Sequence, residues 1–333
     1  MAVDRRTLLG GAIGAGVAAM SAASAAAAQG EWLGPTPALG DPSMPLWPAR
    51  ERYPLWPQGI PGAGATPPVY NPTMNGPAAA RQLWVRGIAV PELHVYRPAR
   101  PDGSALLSIP GGGYQFVSVQ NEGMAVAQRF NASRTTVFVL AYRLPGEGWA
   151  NRHVVPLQDA QRAMRIIRAH AADFAIDPKR LGVIGFSAGG HLAADLAVAH
   201  DEAVYAPVDD ADRQSAKPAF VGLVYPVTTL VDFRLDEALL GPKPGAAAAR
   251  ARSPILRVDA KMPPCFLVHA IDDELVPLEH TTAMIAACRT AKVPVEAHIF
   301  SEGGHGFGLT LPDTMPGSAW PDAFARWMPR NGG

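Results

Sequence analysis

Leu181-Gly182-Val183-Ile184-Gly185-Phe186-Ser187-Ala188-Gly189-Gly190-His191-Leu192-Ala193-Ala194 changes character at its middle. The first six residues are apolar or glycine, the pattern of a short strand buried on both faces. The rest are mostly small, and predict a closely packed helix that runs to about His200. Gly185-Phe186-Ser187-Ala188-Gly189 spans the junction and fits G-x-S-x-G. On such a strand-to-helix turn the serine hydroxyl projects above the sheet, and glycines two residues to either side avoid steric clash. The helix start offers unpaired N–H groups that favour developing negative charge. A serine that merely caps a helix in a glycine-rich turn is the plainer alternative. The flanking strand and helix favour a nucleophile.

Outward from this junction, strands and helices alternate. Residues 105–109 form a short buried strand stopped by Pro110-Gly111-Gly112-Gly113. Residues 122–130 read as helix, and 135–141 are β-branched and apolar throughout. Leu157, Ala160, Met164 and Ile167 recur at helical spacing within 156–171. Further strands are expected at 219–225, 265–269 and 295–300, with helices at 278–291 and 320–327. Residues 82–90 and 92–97 read as antiparallel edge strands. Continuous apolar strands alternating with helices imply an α/β fold, a mostly parallel central sheet covered on both faces. Residues 201–218 and 228–262 lack clean periodicity and are expected to loop over a site.

Composition narrows the class. The chain has 333 residues, 48% of them hydrophobic, with 29 Lys+Arg balanced by 29 Asp+Glu. A net charge of zero lacks the basic footprint of a nucleic-acid binder. Asp4-Arg5-Arg6-Thr7-Leu8-Leu9 followed by a small, weakly apolar run to Ala28 has the form of a twin-arginine signal ending in Ala26-Ala27-Ala28. Cleavage there would place the protein in the periplasm or outside the cell, without a stable membrane anchor. Between Gly34 and Pro77 lie twelve prolines, with Trp47 and Trp56 among them. That stretch can be neither helix nor central strand. It reads as an extended strap over the domain, its tryptophans pinned in surface grooves. The expected organisation is a signal over 1–28, a Pro-rich strap over 29–80 and a catalytic domain over 81–330. Cys265 and Cys288 are the two cysteines. They would meet at the bottom of one βα unit, either as a disulfide or as two buried thiols.

A serine nucleophile needs a base, and the base needs an orienting carboxylate. His305, in Glu302-Gly303-Gly304-His305-Gly306-Phe307-Gly308, follows the last strand at the sheet edge where Ser187 emerges. His191 lies one turn along the nucleophile helix and points away. His269 ends a strand, where a packed, hydrogen-bonded ring is expected, and the remaining histidines read as structural. Asp272-Asp273-Glu274 follows the strand at 265–269. Asp273 is the first choice for the acid and Asp272 the reserve. The backbone N–H groups of Gly112, Gly113 and Ala188 are candidate oxyanion donors, because only glycine lets a backbone approach a substrate so closely. A phosphate-cradling loop is the rival, but it lacks the lysine and the Ser or Thr of a P-loop. Tyr114 and Glu122 are candidates for lining the acyl or sugar pocket, with packing roles as the alternative. No metal or organic cofactor is required by this chemistry.

The Pro110-Gly-Gly-Gly-Tyr114 and Gly185-Phe-Ser-Ala-Gly-Gly-His-Leu-Ala193 motifs, with Glu122-Gly123, Tyr142-Arg-Leu144, Asp159-Ala-Gln-Arg-Ala163, Tyr225-Pro226, His269 to Pro277 and Gly303-Gly-His-Gly-Phe307, resemble one family along nearly the whole chain after the signal. It is the α/β-hydrolase superfamily, in its acetylxylan-esterase and BD-FAE-like branch. The order Ser187, Asp273, His305 matches that superfamily. The resemblance favours Asp273 over Asp272, because the triad acid follows the strand-final residue by four positions. It implies deacylation of small esters, with acetylated carbohydrate as the leading substrate. Pro110 stands where lipase-like relatives carry histidine, and no large helical cap is evident. Relatives are sometimes labelled xylanases, yet no motif offers the two facing carboxylates of glycoside cleavage. Two rivals remain. A prolyl-oligopeptidase-type exopeptidase would need a propeller that the strap cannot supply. A silent carbohydrate-binding protein would be expected to lack a triad member.

Overall fold

The computed structural model describes residues 44–64, 66–76, 81–233 and 235–331. The expected signal peptide and the first part of the strap lie outside the described residues. Ten strands run in chain order: β1 (Glu51–Pro54), β2 (Asn71–Asn75), β3 (Gln82–Arg86), β4 (Glu92–Tyr96), β5 (Ala105–Ile109), β6 (Thr136–Ala141), β7 (Leu181–Phe186), β8 (Val221–Val224), β9 (Cys265–Ala270) and β10 (Val295–Phe300). The α-helices are α1 (Ala125–Asn131), α2 (Val155–Ala169), α3 (Ser187–Val198), α4 (Leu235–Leu240), α5 (Ala246–Ala251), α6 (Glu279–Thr290) and α7 (Trp320–Asn331).

The main sheet has eight strands in the order β1-β4-β6-β5-β7-β8-β9-β10. From β6 to β10 every neighbour is parallel, whereas β1 and β4 add an antiparallel edge. Every residue of β5 to β9 is buried, which is why these strands read as unbroken apolar runs. The structure is thus a mostly parallel α/β sheet, as the resemblance to the α/β-hydrolases implies, with no large helical cap among the described residues. Phe324 of α7 is fully buried against Phe220 and Phe266. Burying one such side chain contributes about 1.5–3 kcal/mol, enough to dock a terminal helix.

Two expectations at the sheet edge are corrected. Residues 92–97 do not form an edge, because β4 pairs with both β1 and β6. Residues 82–90 leave the main sheet, since β3 forms a separate two-stranded sheet with β2. Both new partners come from the Pro-rich stretch, where proline confined strands to edges rather than excluding them. Its tryptophans also sit deeper than surface grooves, with Trp47 2% and Trp56 5% exposed. Trp47 stacks on His94 and donates from Nε1 to the Tyr70 hydroxyl. Trp56 donates from Nε1 to Asp159 Oδ1 over 2.7 Å. Asp159 in turn pairs with the fully buried Arg143, whose guanidinium reaches back to Pro61 O. The strap therefore completes the hydrogen bonding of a buried ion pair, a place where a missing partner is costly.

The aperiodic segments fold into α4, α5 and short 3-10 turns. Arg252 and Arg257 tie the second segment to Asp195 of α3 and to Glu202. Cys265 and Cys288 are both buried and free, the two-thiol alternative rather than the disulfide.

Candidate active site

The strand order reverses at β5. The chain runs from β5 outward to β6, then returns to place β7 on the other side of β5. Ligands of open α/β sheets bind at the carboxyl ends of strands flanking such a reversal. Ser187 follows β7 and the Gly111-Gly112-Gly113 loop follows β5, so both lie at that point.

Ser187 has φ +53°, a left-handed conformation for a non-glycine residue. Such a conformation costs about 1–2 kcal/mol and persists where the surroundings enforce it. Here the turn is enforced by backbone contact. A Cβ on Gly189 would lie 2.2 Å from Ile109 O, so any side chain there would drive α3 away from β5. This close approach brings the α3 N-terminus under the oxyanion loop.

Ser187 Oγ lies 2.9 Å from His305 Nε2, and His305 Nδ1 lies 2.7 Å from Asp273 Oδ2. Facing a carboxylate, Nδ1 carries the proton, which leaves Nε2 to accept from the Ser187 hydroxyl. Asp273 Oδ1 accepts from the amides of Leu275 and Val276, at 2.9 and 2.8 Å. Burial by itself would raise the Asp273 pKa. Hydrogen bonds from His269, His305 and Val276 outweigh it and hold the carboxylate well below the usual range. Asp272 faces the other way. Its oxygens accept from the amides of Gly303 and Gly304, at 3.2 and 2.8 Å, and so fix the loop that carries His305. The two adjacent aspartates thus divide the work, one holding the imidazole and the other its backbone.

The loop after β5 is closed by Gln115 and Phe116 amides donating to Gly112 O, and by Ser118 N–H donating to Gly111 O. Gly111 N–H donates to Glu122 Oε2 over 2.6 Å. No hydrogen bond among the described residues takes up the N–H groups of Gly112 and Gly113. Ala188, in the first turn of α3, lacks an intrahelical acceptor by helix geometry. Gly112, at φ +129°, presses so close to Phe116 that a Cβ would lie 2.1 Å from its carbonyl oxygen.

Tyr114 and Glu122 are not pocket-lining residues but buried supports. Tyr114 is 2% exposed and bonds His191 Nδ1 through its hydroxyl over 2.8 Å. His191 Nε2 donates to Arg252 O, so Nδ1 accepts from Tyr114. Glu122 is 4% exposed, and its second oxygen accepts from the Tyr225 hydroxyl over 2.8 Å. Burial pushes Glu122 upward, against the hydrogen bonds from Tyr225 and Gly111. Tyr225 also accepts from Gly308 N–H, and its ring packs against His305 and Phe307. Asn121 Nδ2 donates to Gly306 O. Asn121 escapes sequence reasoning and Tyr225 enters it only through the Tyr225-Pro226 match, without a role, since neither has acid–base chemistry at neutral pH. The position of Tyr225 right after a strand at the carboxyl edge was the available signal.

Comparisons with known proteins agree with this architecture. Over 218 residues the chain is 34% identical to an endo-1,4-beta-xylanase B from Butyrivibrio fibrisolvens, covering 65% of this chain and 34% of that protein. It is 29% identical to an acetylxylan esterase from Xylanibacter ruminicola, over 64% of this chain and 43% of that protein. The chain thus spans between a third and a half of the length of these two relatives. A crystal structure of an acetyl ester-xyloside bifunctional hydrolase from Caldicellulosiruptor lactoaceticus superposes with a TM-score of 0.69 at 32% identity, covering 86% of this chain and 97% of that one. An esterase from Thermogutta terrifontis with propionate bound gives a TM-score of 0.62 at 25% identity, over 73% and 90% of the two chains. The BD-FAE family model matches residues 93–287, which take in Ser187, Asp273 and the oxyanion loop, and the chain belongs to the BD-FAE family of α/β-hydrolases.

Proposed function

We propose that this protein is a serine carboxylic-ester hydrolase that removes O-acetyl groups from carbohydrate through an acyl-enzyme. The observation that carries this reading is the continuous hydrogen-bonded chain from Ser187 Oγ through His305 to Asp273, beside glycine amides with no internal acceptor. His305 Nε2 takes the Ser187 proton as the oxygen attacks the ester carbonyl. Asp273 keeps the proton on Nδ1 and stabilises the imidazolium. The N–H groups of Gly112, Gly113 and Ala188 receive the oxyanion. His305 then gives the proton to the departing sugar oxygen, which leaves as a hydroxyl, and water releases acetate by the reverse path.

Carbohydrate acetate as substrate is supported by the similarity to an acetylxylan esterase and to an acetyl ester-xyloside hydrolase. Glycoside cleavage is disfavoured. It usually needs two facing carboxylates, and Asp273 and Glu122, carboxylates of this site, both accept from internal donors. The test is hydrolysis of an aryl acetate, and acetate release from a panel of acetylated polysaccharides. Ser187→Ala is expected to lower kcat by at least ~10³-fold. Equal rates in the two proteins would remove the nucleophile, and labelling by a fluorophosphonate separates an active serine from a silent binding protein. Export through the twin-arginine route belongs to the same proposal. It expects secreted protein to begin after residue 28, which N-terminal sequencing reads directly.

A further inference from the structure

Asp273 Oδ2 is shared by two imidazoles. His305 Nδ1 approaches at 2.7 Å from the solvent side, and His269 Nε2 at 3.2 Å from within the core. His269 is the penultimate residue of β9 and wholly buried. Its Nε2 also lies 3.0 Å from Val276 O. Both neighbours of Nε2 are acceptors, so this nitrogen must carry the proton. Its Nδ1 lies 2.7 Å from the Thr281 hydroxyl, which donates to it and completes the assignment. The ring is therefore held in one orientation with its Nε2–H aimed at the carboxylate.

We propose that His269 is a positioning residue for the reaction assigned above, acting through Asp273 as a fixed second donor that sets the orientation and basicity of the carboxylate. This rests on the reading of Ser187, His305 and Asp273 as the catalytic triad. A carboxylate tied by Leu275 and Val276 on one oxygen and by two imidazoles on the other has a single arrangement in which Oδ2 faces His305. Without the inner donor, more negative charge stays available to the imidazolium of His305, whose protonated form is then favoured.

Two titratable groups that face this pair, His280 and Tyr225, stay uncharged around neutral pH. His280, on the α6 face beside it, is pushed down to about 4 by burial. Tyr225, beyond Asp273 at the end of β8, is held far above its usual range by burial. Asp273 and His305 are thus the groups through which a change at His269 is read.

The experiment compares two amides at this position in the intact protein. His269→Gln reaches the Nε2 position and keeps a donor on Asp273. His269→Asn reaches only the Nδ1 position, keeping Thr281 but leaving Asp273 one donor short. With an aryl acetate, Asn is expected to lower kcat about tenfold with KM nearly unchanged. It should also move the acid limb of kcat/KM upward by roughly half a unit. Gln should stay within about threefold of the parent, with the limb in place. A purely structural role for His269 would instead weaken both variants alike and leave the limb where it was, and that result overturns the inference. Parental kcat and pH profile in His269→Asn overturn it as well. Ser187→Ala run alongside separates the two levels. If it is fully active, the triad reading fails and this inference with it. If it is inactive while His269→Asn behaves as the parent, only the inference fails.

Discussion

Glu122 and Tyr225, 103 residues apart in sequence, meet at 2.8 Å, the phenol donating to the carboxylate. Through this contact the oxyanion loop, held by Gly111 N–H, and the His305 loop, held by Gly308 N–H, are fastened to one buried pair. The two halves of the site therefore keep their spacing through this shared pair, beside the direct bond from Asn121 to Gly306 O.

Removing that carboxylate is expected to loosen both loops. Glu122→Ala leaves two buried donors without acceptors, each costing about 1–3 kcal/mol. A lower urea midpoint and a kcat reduced about tenfold or more are expected. Glu122→Gln retains size and one acceptor and should be milder. The pH dependence has a definite sign. Burial raises Glu122 above 4.5, so over the window from 4.5 up to its folded value the native state holds a proton that the unfolded chain has released. Its contribution to stability therefore falls as pH rises through that window. Urea unfolding from neutral pH down to 4.5 should show the parent gaining on Glu122→Gln.

The adjacent aspartates give a sharper contrast. Asp273→Asn presents an N–H₂ to groups that all donate, and His305 loses the partner that fixes its tautomer. A fall in kcat of about 10³–10⁴-fold is expected. Asp272→Asn leaves Asp273 untouched and keeps one acceptor for the Gly303–Gly304 amides, so kcat should stay within about tenfold. If the loss instead falls on Asp272→Asn, the acid moves by one residue. Asp273 is depressed below 3.8, so its stabilisation is present above that pH and is lost as the pH drops through its folded value. Acid unfolding should accordingly be shallower in Asp273→Asn.

Alanine at the two oxyanion glycines separates space from backbone conformation. At Gly112 the new Cβ collides with the Phe116 carbonyl, and the loop must move. Loss of a well-placed donor then lowers kcat by about 10²–10³-fold. At Gly113 an added Cβ would meet no atom within 4 Å, but the backbone has φ +60°. Gly113→Ala should cost about 1–2 kcal/mol of stability and retain more activity than Gly112→Ala in the same aryl acetate assay.

Trp56→Phe tests the strap. The indole N–H is one of several donors to Asp159, and the others come from Arg143. The variant should lose about 1–2 kcal/mol in denaturant unfolding with an unchanged KM and kcat, since Trp56 touches neither loop of the site.

What the amino-acid order settled by itself was whatever is encoded over a few neighbouring residues. The apolar runs of β5 to β9 announce a buried parallel sheet, because a strand covered on both faces has no polar side to alternate with. The turn at Ser187 is legible for a similar reason, since Gly185 and Gly189 stand at fixed offsets from the serine within one strand-to-helix junction, even though the contact that Gly189 answers is with Ile109 of β5. The folded chain alone decided which distant groups meet. Asp272 and Asp273 are chemically identical, and only the turn after β9 aims one at His305 and the other at Gly303 and Gly304. For Glu122 the sequence left pocket lining and packing both open, and its bonds from Gly111 and Tyr225 make it a packed support. The Pro-rich stretch was rightly kept out of the sheet centre, but pairing of β1 with β4 depends on register between segments far apart in sequence. Periodicity and backbone sterics act locally, whereas the partner of a buried polar group is chosen by packing across the whole sheet.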